Sequence, residues 1–177
     1  GAVPKVPTSN TNQAMAANSI AQGDLSAEVN PASEKDIMSI SLNTMINTLR
    51  DLIHEINYTT RQHDLGDIDV VIPEDKFSGD YQVLARGINN MAHGHLQMVQ
   101  KSMDCVAAFA NGDFNAELEQ FPGKKAFINE RIELLRSNLK AVNGEINRLI
   151  EAASAGDLDV RVNTEQFEGD WRKLGEG

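Results

Sequence analysis

Gly66-Asp67-Ile68-Asp69-Val70-Val71-Ile72 is the stretch that decides the fold, because its pattern occurs four times in the chain. A Gly-Asp-apolar triplet stands at Gly23-Asp24-Leu25, Gly66-Asp67-Ile68, Gly112-Asp113-Phe114 and Gly156-Asp157-Leu158, with the glycines 43, 46 and 44 residues apart. Small or apolar residues follow two, four and six positions after each glycine. They are Leu25, Ala27 and Val29, then Ile68, Val70 and Ile72, then Phe114, Ala116 and Leu118, then Leu158, Val160 and Val162. Alternation with period two marks an extended segment with one buried face. A glycine just before it is a natural helix stop, since it takes the left-handed backbone conformation without a side-chain clash. Three repeats carry a second landmark, Phe77-Ser78-Gly79, Phe121-Pro122-Gly123 and Phe167-Glu168-Gly169; the first has Pro31-Ala32-Ser33-Glu34 instead.

Between the landmarks the chain reads as long helix. One stretch runs Met38, Leu42, Met45, Leu49, Leu52, Ile56, Thr59, His63, with spacings alternating four and three. A second runs Leu84, Ile88, Met91, His95, Met98, Ser102, Cys105, Phe109, and a third Ile128, Ile132, Leu135, Leu139, Val142, Ile146, Leu149, Ala153. Each begins 28 positions before the next triplet glycine, whereas the glycine-to-helix connectors vary at 15, 18, 16 and 18 residues. Length is free where the chain crosses over and constant where a coiled-coil phase is kept. An inserted residue would rotate every later seam residue by about 100 degrees, so the constant phase points to a stalk that passes a twist or tilt along its axis.

Composition narrows the function. In 177 residues, 26 acids against 16 bases give a net charge of -10, the wrong sign for a nucleic-acid stripe. Aromatics are 5% against 41% apolar residues, which suits narrow helical seams. One cysteine excludes an internal disulfide and a cysteine-cluster metal site. No apolar run reaches the roughly 20 residues of a membrane span, and no signal peptide is legible. The chain starts at Gly1 and stops at Gly177 as a helix begins, so it is expected to be a soluble, cytoplasmic piece of a longer protein. There is no phosphate loop, metalloprotease motif or nucleophile elbow, and the reading is not an enzyme, with no cofactor and no metal.

The repeat resembles the HAMP domain, the relay module of bacterial chemoreceptors, sensor histidine kinases and some cyclases. The resemblance rests on a short helix ending in Gly-Asp-Leu, an alternating connector of about fifteen residues, and a second helix opening with an acid. In the first repeat that opening reads Glu34-x3-Met38-x4-Asn43-x-Met45, in the second Asp80-x3-Leu84-x4-Asn89-x-Met91. It covers nearly the whole chain as four tandem units, residues 8–50, 51–97, 98–141 and 142–177, the last cut short after Leu174. The second and third units, with the run Phe121-Pro122-Gly123-Lys124-Lys125-Ala126-Phe127-Ile128-Asn129, look most like the tandem arrays of chemoreceptors.

The resemblance implies an all-α parallel homodimer of four-helix bundles, stacked as a rod, with long fused helices joined by extended connectors. Leu25, Val29, Ile68, Ile72, Phe114, Leu118, Leu158 and Val162 would be the connector residues packing over the helices, after the glycines Gly23, Gly66, Gly112 and Gly156. The acids Glu34, Asp80 and Asp170 would bond from the start of the second helix towards the first helix near the connector. The third unit departs, with Lys124 at the acid's place and Glu133 at the asparagine's. The first departs too, with a thin first-helix seam of Ser9, Gln13, Ala16 and Ile20. The implied role is signal relay in a methyl-accepting chemotaxis protein, between a sensor and an output domain of the same chain. The implied place is the cytoplasmic portion of an inner-membrane receptor, with itself as the one partner, no nucleic acid and no direct small-molecule ligand. The same array in a histidine kinase or cyclase would do the same mechanical work. The rival of another class is a monomeric helical-solenoid binding scaffold, whose repeat length overlaps the period here.

Polar residues interrupt the seam at Thr59, His63, His95, Ser102 and Cys105. Facing its symmetry mate, either histidine would be a pH sensor or a metal ligand; the plainer reading is a polar residue that sets register. His54 and His93 fall off the seam. Cys105 reads as a small buried apolar residue rather than a redox switch. Met38, Met45, Met91 and Met98 lie on the seam, where flexible side chains suit either ordinary filling or repacking between two states. With Thr59 and His63 on it, the segment from Thr59 to Gly66 is expected to be the softest part of the array.

Overall fold

The computed structural model describes residues 9–177, so residue 8, the expected start of the first unit, and the side chain of Ser9 lie outside the described residues. Among the described residues five α-helices follow one another: α1 (Ser9–Ala21), α2 (Ile37–Asp64), α3 (Gly79–Ala110), α4 (Phe127–Ser154) and α5 (Gly169–Glu176). Three short 3-10 turns, Glu74–Lys76, Gly123–Ala126 and Thr164–Gln166, fall in the connectors. No strand occurs among the described residues. The protein is all-α.

The helices end where the glycines stand, by one repeated mechanism. At Gly23, Gly66, Gly112 and Gly156 the backbone is left-handed, with φ of 85°, 97°, 88° and 87°. Each glycine N–H returns to the carbonyl three residues back, and each following aspartate N–H to the carbonyl five back. In the third repeat these are Gly112 to Phe109 at 3.0 Å and Asp113 to Ala108 at 2.9 Å. This is the Schellman closure, which satisfies carbonyls that the last helical turn leaves open. The second landmark is a backbone device as well: Gly79, Gly123 and Gly169 all adopt φ of 56° where the next helical segment starts.

The chain forms two compact units, one up to Gly94 and the other from His95 onward, and α3 contributes residues 79–94 to the first and 95–110 to the second. In the first unit, one cluster joins Ala16 of α1, Val29 of a connector and Leu42 of α2. Another joins Leu52 of α2 with Ile72 and Phe77 of the next connector and Ala85 of α3. In the second unit, Cys105 and Phe109 of α3 pack with Ile132 of α4, and Phe114, Ala116 and Leu118 of the connector lie against them. Each core is thus built from a helix, its connector and the following helix. Burying one such aliphatic side chain stabilises the fold by about 1.5–3 kcal/mol.

Candidate functional site: the connector joints

An extended connector that joins no sheet must find other partners for its N–H and C=O groups, because buried backbone polar groups are costly when unpaired. Side chains of the following helix supply them. The carboxamide of Asn89 accepts from the Ile72 N–H at 2.9 Å and donates to the Ile72 carbonyl at 2.8 Å. Asn43 does the same to Val29, accepting its N–H at 3.1 Å and donating to its carbonyl. The third repeat solves the problem differently. Glu133 stands at the asparagine's place, and Asn129, four residues earlier, accepts from the Phe121 N–H at 3.0 Å and donates to the Glu119 carbonyl at 2.8 Å.

The preceding helix also grips the connector. His63 Nε2 lies 2.7 Å from the Val70 carbonyl oxygen, and Cys105 Sγ lies 3.7 Å from the Ala116 carbonyl oxygen. Eleven residues before the glycine, a charged side chain reaches across in three repeats. Glu55 pairs with Lys76 at 2.7 Å, Lys101 pairs with Glu119, and Glu145 accepts from the Asn163 N–H at 3.2 Å. Arg148 adds a bond from Nη2 to the Arg161 carbonyl at 2.6 Å and pairs with Glu145 at 2.8 Å. That Arg148 hydrogen bond, followed by the one from Asn163, holds the Glu145 carboxyl below its ordinary pKa of 4.5.

The structure departs from the sequence expectations at several places. The acid that opens α2 is Asp36, not Glu34. Asp36 caps the helix by accepting from Ser39 N–H at 3.3 Å, accepts from Ala32 N–H at 3.0 Å, and receives Gln13 of α1 at 3.1 Å. The bond from Ala32, followed by those from Ser39, holds its carboxyl below the ordinary value of 3.8. Asp80 is exposed in the first turn of α3, and Asp170 pairs with Lys173 of its own helix at 3.2 Å, so neither bonds to the preceding helix. In the second repeat Glu74 of the connector bonds instead to the following helix, accepting from Asn89 Nδ2 and Arg86 Nε, both at 3.2 Å. His63 is half-buried against its own connector rather than presented as a free seam imidazole.

Among the connector residues, Val29 and Ile72 are buried, while Leu25, Phe114, Leu118 and Val162 are half-buried. Ile68 and Leu158 remain 48% and 76% exposed in the single chain, so they do not pack over the helices within it. On the seam, Thr59, Ser102 and Cys105 are buried, and Ser102 donates to the Met98 carbonyl at 2.6 Å; His95, His54 and His93 are exposed. Among the described residues, no group of three or more His, Cys, Asp or Glu side chains is placed to hold a metal ion. No described helix is long and apolar enough to cross a membrane.

Helix, clasped connector and helix, repeated along one chain, define a modular helical joint. Residues 98–140 match the family model of HAMP N-terminal domain 3. Over 81 residues the chain is 35% identical to the methyl-accepting chemotaxis protein McpB of Pseudomonas aeruginosa, a match that covers 46% of this chain and 12% of that protein. Residues 98–140 thus match a HAMP unit, and less than half of the chain aligns with a short stretch of a chemoreceptor.

Proposed function

We propose that the chain is the signal-relay segment of a chemoreceptor, in which four HAMP units (residues 8–50, 51–97, 98–141 and 142–177) stack as parallel homodimeric bundles. Each bundle adopts one of two packings and passes its state to the next through a shared helix, from a sensor to a cytoplasmic output domain of the same receptor. The observation that carries this reading is the state of the seam in a single chain. Met38, Leu84, Met91 and Ile146 are exposed while Leu42, Leu52 and Ile132 in the same four–three series are buried. Large apolar residues left open in phase with buried ones are what a second helix pair would cover. The likeness to McpB supports the receptor context, and the relay needs a two-state element at each joint, not merely a continuous path.

Small-angle X-ray scattering with mass calibration on this chain tests the assembly. Four layers of about 14 helical residues stack to a rod of roughly 80–90 Å. A dimer-mass rod supports the proposal, and inserting one residue after Asn57 in the full receptor is then expected to break or invert its response. A monomer-mass particle with a radius of gyration near 16 Å sinks the dimeric relay and favours a monomeric binding scaffold.

A further inference from the structure

The third repeat holds a side chain with no counterpart in the first two. Aligned on the first seam residue of each long helix, Arg136 takes the place of Ile46 in the first repeat and Ala92 in the second, just as Glu133 takes the place of Asn43 and Asn89. The two changes occur together, three residues apart on one helix.

Their geometry is specific. Arg136 Nε lies 3.2 and 3.1 Å from the two carboxylate oxygens of Glu133, and Nη1 donates to the Phe114 carbonyl at 2.7 Å. Nη2 lies 3.9 Å from Cys105 Sγ, and the guanidinium carbon sits 4.9 Å from the centroid of the Phe109 ring. Only 12% of the Arg136 side chain is exposed, against 60% for Glu133. A guanidinium this far from water is costly unless its donors are paired, and here all three nitrogens have a partner and one face lies over the Phe109 ring.

We propose that Arg136 is a positioning residue that locks α3, the connector and α4 of the third repeat into one body. Cys105 and Phe109 belong to α3, Phe114 to the connector, and Arg136 and Glu133 to α4, so one planar group touches all three segments. In the first two repeats the asparagine holds the connector only to the helix that follows, and the preceding helix is gripped by separate side chains. The third repeat is therefore the joint in which one side chain ties the connector to both helices, whereas in the first two the ties to the preceding and following helices run through separate side chains. The consequence for signalling rests on the relay reading; the lock itself does not.

Peptide-resolved hydrogen–deuterium exchange on the whole chain tests it. Arg136→Met keeps the length and apolar stem but removes the fork. It is expected to speed exchange across residues 114–119 by about tenfold or more, leaving residues 27–30 and 70–73 unchanged. Arg136→Lys restores charge without the fork and is expected to rescue only part of the protection, so it keeps the test open if the methionine variant does not fold. Unchanged exchange at 114–119 in either variant overturns the lock, and so does acceleration shared equally by all three connectors, which marks a general loss of stability. Scattering mass on the parent chain is read separately: a monomer there removes the relay and leaves the exchange result standing.

Discussion

Asn89 closes a two-way hydrogen-bonded ring on Ile72, accepting its N–H at 2.9 Å and donating to its carbonyl at 2.8 Å. Ile72 is almost fully buried, so this carboxamide replaces the sheet partner that an extended strand would otherwise need. Replacing Asn89 with Leu leaves both backbone groups buried and unpaired, at a cost of about 1–3 kcal/mol for each group. Asn89→Asp keeps the acceptor for the Ile72 N–H but loses the donor and sets a second carboxylate against Glu74, so it too is expected to destabilise. Chemical denaturation of the three chains gives the order; a leucine variant as stable as the parent would show that water takes over the ring.

The glycines divide into two kinds with opposite outcomes. Gly112 has φ of +88° at the end of α3, whereas Gly144 sits inside α4 with no heavy atom within 4 Å of the place a methyl group would take. Gly112→Ala forces a side chain into the left-handed region, costing about 1–2 kcal/mol. Gly144→Ala replaces a poor helix former in open space and is expected to stabilise by about 0.5–1 kcal/mol. Thermal unfolding midpoints that move in the same direction for both would contradict the assignment of Gly112 as a helix stop.

How much of this was legible in the sequence follows from what each feature depends on. The helix stops were, because a left-handed residue followed by Asp and an alternating run is a local signal with one backbone solution. The long helices were, because a four–three spacing survives any choice of partner. The clasps were not. Which side chain satisfies a connector carbonyl depends on where the crossover brings it, so Asp36 rather than Glu34 opens α2, and Asn129 stands in when Glu133 displaces the usual asparagine. One signal was available: Glu133 and Arg136 change together relative to the other repeats, and a paired acid and base at helical spacing three points to a new ion pair. Periodicity puts His63 on the seam because it gives the face of a helix but not the neighbour that face meets.

Acid should loosen two of these joints. Glu145 and Asp36 both have carboxyls held below their ordinary values of 4.5 and 3.8, the first mainly by the Arg148 hydrogen bond and the second mainly by the Ala32 N–H. A depressed folded-state pKa means that the unfolded chain binds protons more readily, so stability rises with pH. The contribution is complete above the ordinary values and is lost as pH falls through the lower, folded ones. Urea midpoints are therefore expected to drop between about pH 5 and pH 3, and Glu145→Gln to flatten that slope. An acid limb of unchanged steepness in Glu145→Gln would remove this carboxylate from the account.

Thr59 gives the expectation of a soft segment before Gly66 a specific test. Its side chain is buried, and its Oγ1 has no hydrogen-bond partner. Neighbouring threonines avoid this by bonding back one turn, Thr60 to the Ile56 carbonyl at 2.8 Å and Thr44 to the Ile40 carbonyl at 2.9 Å. Seven residues before the glycine, the other repeats place Ala16, Cys105 and Leu149, none of which carries a hydroxyl into the core. An unpaired buried hydroxyl costs about 1–3 kcal/mol, while Val has nearly the same shape and helix propensity as Thr. Thr59→Val is therefore expected to stabilise the chain and to slow amide exchange from residue 59 to residue 66 more than elsewhere in α2. If the valine chain is instead less stable, the hydroxyl is bonded in solution and the expectation of a soft segment here loses its ground.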